Sequence, residues 1–206
     1  MIKECNIYLA GIGGQGIMLL SQVLTEAALK ENYKILVSEV HGGAQRGGAA
    51  GSHIRMGNEV YSPIIPLQQA DVLIGLEPIE AVRVAHMYLK DNGHILINPN
   101  PVAPVSVLTG KEEYPSIEKL KKDLIQITNN IFIINATHAA ENVGRRVLAN
   151  VVMLGALVEC KCLPLKEKSI LDALLEKVPQ GTGDINRLAF EAGKRLICSI
   201  NGLKEE

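Results

Sequence analysis

Tryptophan is absent from this 206-residue chain, and two phenylalanines and five tyrosines are nearly all its aromatic content. Stacking platforms for bases or sugars therefore have little raw material, and the core must be built from Ile, Leu, Val and Ala. Neither sign of charge is in excess: 21 Lys and Arg stand against 22 Asp and Glu, with no basic tract. That balance excludes a polyanion-binding role driven by bulk charge, so no nucleic-acid partner is expected. Four cysteines, Cys5, Cys160, Cys162 and Cys198, are too few and too irregular for a disulfide framework. The Cys160-Lys161-Cys162 pair lacks the further ligands of a four-coordinate metal site. Buried or half-buried thiols and no metal site are the expectation. Long apolar runs are missing as well. The longest, Val147 to Val158, is broken by Asn150 and falls short of a membrane span, and Met1-Ile2-Lys3-Glu4 does not read as a signal peptide. These features predict a cytoplasmic protein with no membrane partner.

What is present is an alternation of apolar runs and helical stripes. Asn6 to Ala10 reads as a buried parallel strand, ending in a glycine cluster. Ile17, Leu20, Val23, Leu24, Ala27 and Ala28 form one helical stripe, and Lys34 to Val40 reads as a second strand. Strand, glycine loop, helix and strand make a βαβ unit. Ser52 to Met56 and Val60 to Ser62, flanking Gly57-Asn58-Glu59, suggest a hairpin. Asp71 to Leu76 is a further strand. It leads into a helix with Pro78 in its first turn, inner face Ile79, Val82, His86 and Leu89, and a stop at Gly93. Strands at His94 to Asn98 and Ile131 to Asn135 enclose a helix capped by Ser116. Helices over about 137–160, with a weak point at Gly144, 166–177 and 184–199 complete the chain. The fold expected is a three-layer α/β domain over 1–206, with a mostly parallel open sheet, a Rossmann-like start and a helical C-terminal third. The helix of Val147 to Leu157 is apolar nearly all round and should be buried or form an interface.

Two segments carry candidate chemistry. Gly11-Ile12-Gly13-Gly14-Gln15-Gly16 satisfies G-x-G-x-x-G between a strand and a helix, where glycines let backbone N–H groups approach an anion at the positive helix end. Glu39, 23 residues past Gly16, stands near the position of a ribose-binding acid in dinucleotide folds. A nucleotide or phosphate ligand and simple close packing, with Gln15 holding a backbone group, both remain open. The second segment, His41 to Gly51, holds five glycines in eleven residues. In it His41, Gln45, Arg46, Gly47 and Gly48 are candidates for a binding or interface loop. The Arg46 guanidinium suits a carboxylate or phosphate, or an ion pair between subunits. His53, His86, His94 and His138 form no spaced metal triad. No Ser sits in a G-x-S-x-G elbow, and no Lys follows a G-x-x-x-x-G loop. The chain has a binding loop but no self-sufficient catalytic set.

Gly11 to Gly16 (GIGGQG), Glu39 to Gly48 (EVHGGAQRGG), Ser62 to Arg83 (with SPIIP and ADVLIGLEPIEAVR), Tyr114-Pro115, Asn150 to Gly155 and Asn186 to Gly193 (NRLAFEAG) span nearly the whole chain. On these stretches it resembles the gamma-type subunits of the 2-oxoacid:ferredoxin oxidoreductases. Within them it is most similar to the small (beta) subunit of indolepyruvate ferredoxin oxidoreductase, though Gly43 and Ala44 depart from the family pattern. The resemblance implies an accessory subunit of a heteromeric enzyme that oxidatively decarboxylates an arylpyruvate to an aryl-acetyl-CoA and passes the electrons to ferredoxin. Thiamine diphosphate, Mg and 4Fe-4S clusters are then expected on the large (alpha) partner subunit, since no G-D-G or C-x₂-C-x₂-C signature occurs here. The glycine turn and Arg46 are expected either to bind the phosphates of CoA or to brace the large subunit near the thiamine site. The alternative is a stand-alone NAD(P)- or nucleotide-binding module.

Overall fold

The computed structural model describes residues 4–42, 48–103, 107, 109–110 and 113–202. In chain order the elements are β1 (Cys5–Ile12), α1 (Ile17–Lys30), β2 (Ile35–His41), β3 (Ala49–Met56), β4 (Ala70–Gly75), α2 (Pro78–Tyr88) and β5 (Leu89–Ile97). They continue with α3 (Ile117–Ile125), β6 (Ile131–Ile133), α4 (Ala136–Val143), a 3-10 turn (Arg146–Leu148), α5 (Ala149–Glu159), α6 (Glu167–Lys177) and α7 (Gly183–Gly202). The six strands lie in the order β2-β3-β1-β4-β5-β6. β3 runs antiparallel to both β1 and β2, while β1, β4, β5 and β6 pair in parallel. All strands but β3 therefore point the same way.

Helices cover both faces of this sheet. The α1 stripe (Ile17, Leu20, Val23, Leu24, Ala27, Ala28) is buried against Ile7, Leu9 and Ile54 of the sheet and against the C-terminal helices. On the other face Ala81, Val84 and Ala85 of α2 and Leu120 and Leu124 of α3 pack on Tyr8, Leu73, Ile95 and Ile97. The cap and stop residues act as their chemistry requires. The Ser116 hydroxyl accepts the Lys119 N–H at 3.2 Å, and Gly144, at φ +114°, ends α4 in the left-handed conformation that favours glycine.

Three sequence expectations need correction. β1 and β2 are not neighbours of a simple βαβ unit, because β3 is inserted between them. The antiparallel pair is formed by β2 and β3, and not by residues 52–62. The reason is local: the buried Arg55 guanidinium takes the carbonyls of Ser62 (2.9 Å) and Ile64 (3.1 Å), so this backbone bonds to a side chain instead of a strand. Finally, α2 ends at Tyr88, before Gly93. Its buried face is Ala81, Val82, Val84 and Ala85, whereas His86 is exposed and Leu89 belongs to β5.

The all-apolar α5 is the centre of the C-terminal third, with Asn150 to Leu157 buried. It crosses α7 at two glycines: a Cβ on Gly155 would overlap the Phe190 carbonyl, and one on Gly193 the Val152 carbonyl. Among the described residues, no helix is long and apolar enough to cross a membrane.

His53 on β3 is 2% exposed; it accepts the Ile65 N–H at Nδ1 (3.2 Å) and meets the rings of Tyr8 and Tyr88 edge-on. Burial lowers its pKa from the ordinary 6.5. The folded state thus binds fewer protons than the unfolded one, and stability falls as the pH drops below about 6.5. In His53→Gln, urea midpoints measured between pH 7 and 5 should lose part of that acid dependence.

Candidate functional site

The G-x-G-x-x-G turn sits at the carboxyl edge of the sheet, between β1 and α1. Gln15 stitches it down. Its Oε1 accepts the Ile12 N–H (2.9 Å) and its Nε2 donates to the Leu76 carbonyl just past β4 (3.1 Å). Anchoring of backbone is therefore a role that Gln15 performs. Gly11 is required by this arrangement, because a Cβ there would lie 2.7 Å from the same side-chain Oε1 of Gln15. Gly16 caps α1 at φ +83° with no side-chain cap, and a Cβ on it would collide with the Asn150 amide. Gly14, at φ +97°, faces open space.

The two glycine segments meet. The Gly13 N–H donates to the Gly48 carbonyl at 2.9 Å, and the Gly42 N–H closes the β2–β3 pair on the Ala49 carbonyl at 2.7 Å. The structure thus brings Gly11, Gly13, Gly14, Gln15, Gly16 and Gly48 together, with the backbone of His41 at the end of β2, paired with Ala50. Gln45, Arg46 and Gly47 lie outside the described residues.

On one side of the turn, a cavity of ≈350 Å³ is bounded by Gly13, Gly16, Met18, Glu39 and Gly51. Glu39 reaches this cavity from β2, which β3 separates from β1. Two inter-strand spacings, about 10 Å, thus stand where a dinucleotide fold has adjacent strands. This geometry disfavours the NAD(P) reading. A second cleft, of ≈170 Å³, shares Gly14 with this cavity and lies between the turn and Leu76, Asn98, Thr137, Arg146 and Asn150. Asn98 is buried and donates to Thr137 Oγ1 (3.0 Å), while its Oδ1 accepts the Thr137 N–H (3.3 Å).

Close by, the buried Glu77 caps α2 through the Glu80 N–H (2.9 Å) and accepts the Tyr114 hydroxyl (2.5 Å). Burial and this carboxylate push the Tyr114 pKa up, so the phenol remains a hydrogen-bond donor. Asn98, Thr137, Arg146, Glu77 and Tyr114 escaped the sequence reading as site residues. A usable signal was there for two of them: Glu77 and Asn98 are polar residues directly after apolar strand runs, where open α/β sheets bind ligands.

The thiols are distributed differently from the expectation in one case. Cys5 is buried and Cys160 and Cys162 are half-buried, but Cys198 is exposed. Burial pushes Cys5 and Cys162 up to about 12, which makes them poor nucleophiles and metal ligands at neutral pH. No group of three or more His, Cys, Asp or Glu among the described residues could hold a metal ion.

Comparison with known proteins places this architecture. The family model for pyruvate ferredoxin/flavodoxin oxidoreductase matches residues 6–196. An indolepyruvate oxidoreductase subunit, IorB, from Thermococcus kodakarensis is 38% identical over 98% of this chain and 100% of its own length. The gamma subunit of a keto/oxoacid ferredoxin oxidoreductase from Geobacter sulfurreducens superposes with a TM-score of 0.69 at 25% identity, covering 96% of this chain and 98% of that one. A 2-oxoglutarate:ferredoxin oxidoreductase from Magnetococcus marinus, with 2-oxoglutarate, coenzyme A and succinyl-CoA bound, shares the fold with a TM-score of 0.72 at 20% identity. There the match covers 97% of this chain and 32% of the longer one. With its sheet, its glycine turn and nearly its full length aligned, the chain belongs to the pyruvate ferredoxin/flavodoxin oxidoreductase family.

Proposed function

We propose that this chain is the accessory subunit of a cytoplasmic indolepyruvate (arylpyruvate) ferredoxin oxidoreductase, acting as a single gamma-type domain over 1–206. The observation that carries this reading is the 38% identity to an indolepyruvate oxidoreductase subunit along that protein's whole length. The reaction removes CO2 from an aryl 2-oxoacid, passes an electron pair to ferredoxin, and transfers the acyl group to the CoA thiol. A large alpha partner carries thiamine diphosphate, Mg and the 4Fe-4S clusters. On this chain, no group of three or more His, Cys, Asp or Glu among the described residues could hold a metal ion. Its own contribution is binding: the glycine turn and the 41–48 loop, joined by the Gly13–Gly48 bond next to the ≈350 Å³ cavity, hold CoA phosphates or brace the large subunit. Binding energy spent on that remote end of CoA would position its thiol for transfer.

Co-expression with the large subunit tests the proposal. The isolated chain should turn over nothing, while the complex should reduce a viologen dye with indolepyruvate and CoA. Arg46→Ala should raise the KM for CoA about tenfold, as expected for loss of one charge-assisted hydrogen bond, with little change in the KM for the 2-oxoacid. An unchanged CoA dependence would remove the CoA role and leave the bracing role.

A further inference from the structure

The sheet has two edges, and they differ. β6, at one end, is three residues long, too short to template another strand. β2, at the other, runs seven residues, and its register with β3 is unbroken from Ile35↔Met56 to His41↔Ala50. Main-chain bonds at the two ends of this pair show which backbone groups it uses. The Lys34 carbonyl accepts the Gly57 N–H (3.0 Å), and the Gly42 N–H donates to the Ala49 carbonyl (2.7 Å). In an antiparallel pair every second residue bonds to the neighbouring strand, so Lys34, Leu36, Ser38 and Val40 bond to β3. The N–H and C=O groups of Ile35, Val37 and Glu39 therefore point out of the sheet. Among the described residues no strand lies beyond β2 on that side.

Edges of this length usually carry a proline, a lysine or a bulge that blocks a foreign strand. Ile35–His41 (ILVSEVH) has no Pro, no Lys and no bulge, and Glu39 is its one formal charge. Ile35 and Val37 pack into the core beneath α1, which leaves Leu36 and Val40 on the opposite face, as strand alternation requires. Val40 is 45% exposed there. At the other end of that face Tyr61 is 81% exposed, with Lys34 Nζ 4.4 Å from its ring centre.

We propose that this edge is an interface between two copies of the chain, β2 pairing antiparallel with β2 of the second copy about a two-fold axis at Val37. A strand is self-complementary in that arrangement, and the contact closes on itself as a dimer. Val37 meets Val37 of the second copy, Ile35 meets Glu39 of the second copy, and about six main-chain hydrogen bonds form. On the outer face Lys34 comes opposite Val40 of the second copy. The exposed Val40 and Tyr61 side chains are thereby brought together at two symmetric places. No charge meets its like, whereas parallel pairing in register would set Lys34 on Lys34 and Glu39 on Glu39. The two sheets become one. This interface goes beyond the functional reading above and does not depend on it.

Sedimentation velocity on the full chain tests it and should show a monomer–dimer equilibrium across the micromolar range. Val40→Lys changes an exposed side chain, so the variant folds whatever the role of the edge. It sets a lysine opposite Lys34 of the second copy at two symmetric places and should weaken the dimer about tenfold. Val40→Glu sets an opposite charge there and should dimerise at least as tightly as the wild type, with any gain lost in high salt. Amide hydrogen exchange supplies a local readout. The Ile35 and Val37 amides should exchange slowly at concentrations that favour the dimer and fast on dilution, while the Leu36 amide, bonded to β3, stays protected in both. A chain that remains monomeric throughout the micromolar range would overturn the proposal. So would a dimer whose Ile35 and Val37 amides exchange fast, or equal dimerisation by Val40→Lys and Val40→Glu. If the chain alone stays monomeric but these two amides are protected in the complex with the large subunit, the edge belongs to that subunit and the two-copy interface is refuted.

Discussion

Gly155→Ala should destabilise the folded chain by about 3 kcal/mol or more. The added methyl group would overlap the Phe190 carbonyl on α7, with the Phe190 carbonyl carbon 2.8 Å away. Backbone cannot rotate aside as a side chain can, so α5 and α7 would have to separate. Phe190 is fully buried, and separation would loosen its packing among Val152, Leu154 and Leu157 as well. Gly193→Ala, which meets the Val152 carbonyl from the opposite side, should behave alike, and the double variant should cost less than the sum because one separation relieves both clashes. Urea unfolding followed by circular dichroism measures this: the midpoint should fall with the slope unchanged. A shift within about 0.5 kcal/mol, the usual range for surface changes, would mean that the two helices do not cross this closely.

The second large effect is expected at Arg55. Its side chain is 8% exposed and bonds to Glu4 Oε1 (2.5 Å), Asn6 Oδ1 (2.9 Å) and the carbonyls of Ser62 and Ile64. This cation joins the start of β1, the end of β3 and the segment after it. Arg55→Met removes the charge and leaves two carbonyls and an amide oxygen short of their donor; such a loss costs about 3–5 kcal/mol. Arg55→Lys keeps the charge but cannot reproduce the planar fork, so it should recover only part of the stability. Proteolysis should report the same event locally, with new cleavage between residues 60 and 67 in Arg55→Met. Wild-type resistance there would show that the segment is held by its apolar contacts, Ile65 above all.

Much of this architecture can be read directly from residue patterns, and what cannot has a physical cause. The α1 stripe, the Ser116 cap and the break at Gly144 are set by interactions within a few residues, so spacing alone reveals them. The position of β3 is different. Ser52 to Met56 reads as a strand, but its partner is decided by tertiary competition: the Arg55 fork claims the carbonyls of Ser62 and Ile64, in the segment expected to pair with it. His86 illustrates the limit of a helical stripe. With apolar residues at Ile79, Val82 and Leu89 around it, the stripe has two possible centres, and only packing against the sheet selects Ala81 and Ala85. At the site, G-x-G-x-x-G exposes Gly11 to Gly16 at once, since the turn is one contiguous segment. Asn98, Thr137 and Asn150 come from three distant stretches and converge at the ends of different elements, which no local pattern encodes. Their convergence is a property of strand order.

That strand order also governs when the chain can fold as it leaves the ribosome. β1 is made before either of its neighbours in the sheet, which begin at Ala49 and Ala70. The core that α1 covers is completed by residues as late as Ala189, Phe190 and Ile197. The 14-residue helix α1 and the strand before it therefore wait, with apolar faces uncovered, until α7 has been synthesised. A nascent chain in that condition is a natural client for a holding chaperone. A premature stop anywhere before α7 would yield no smaller working unit, only a sticky fragment marked for degradation.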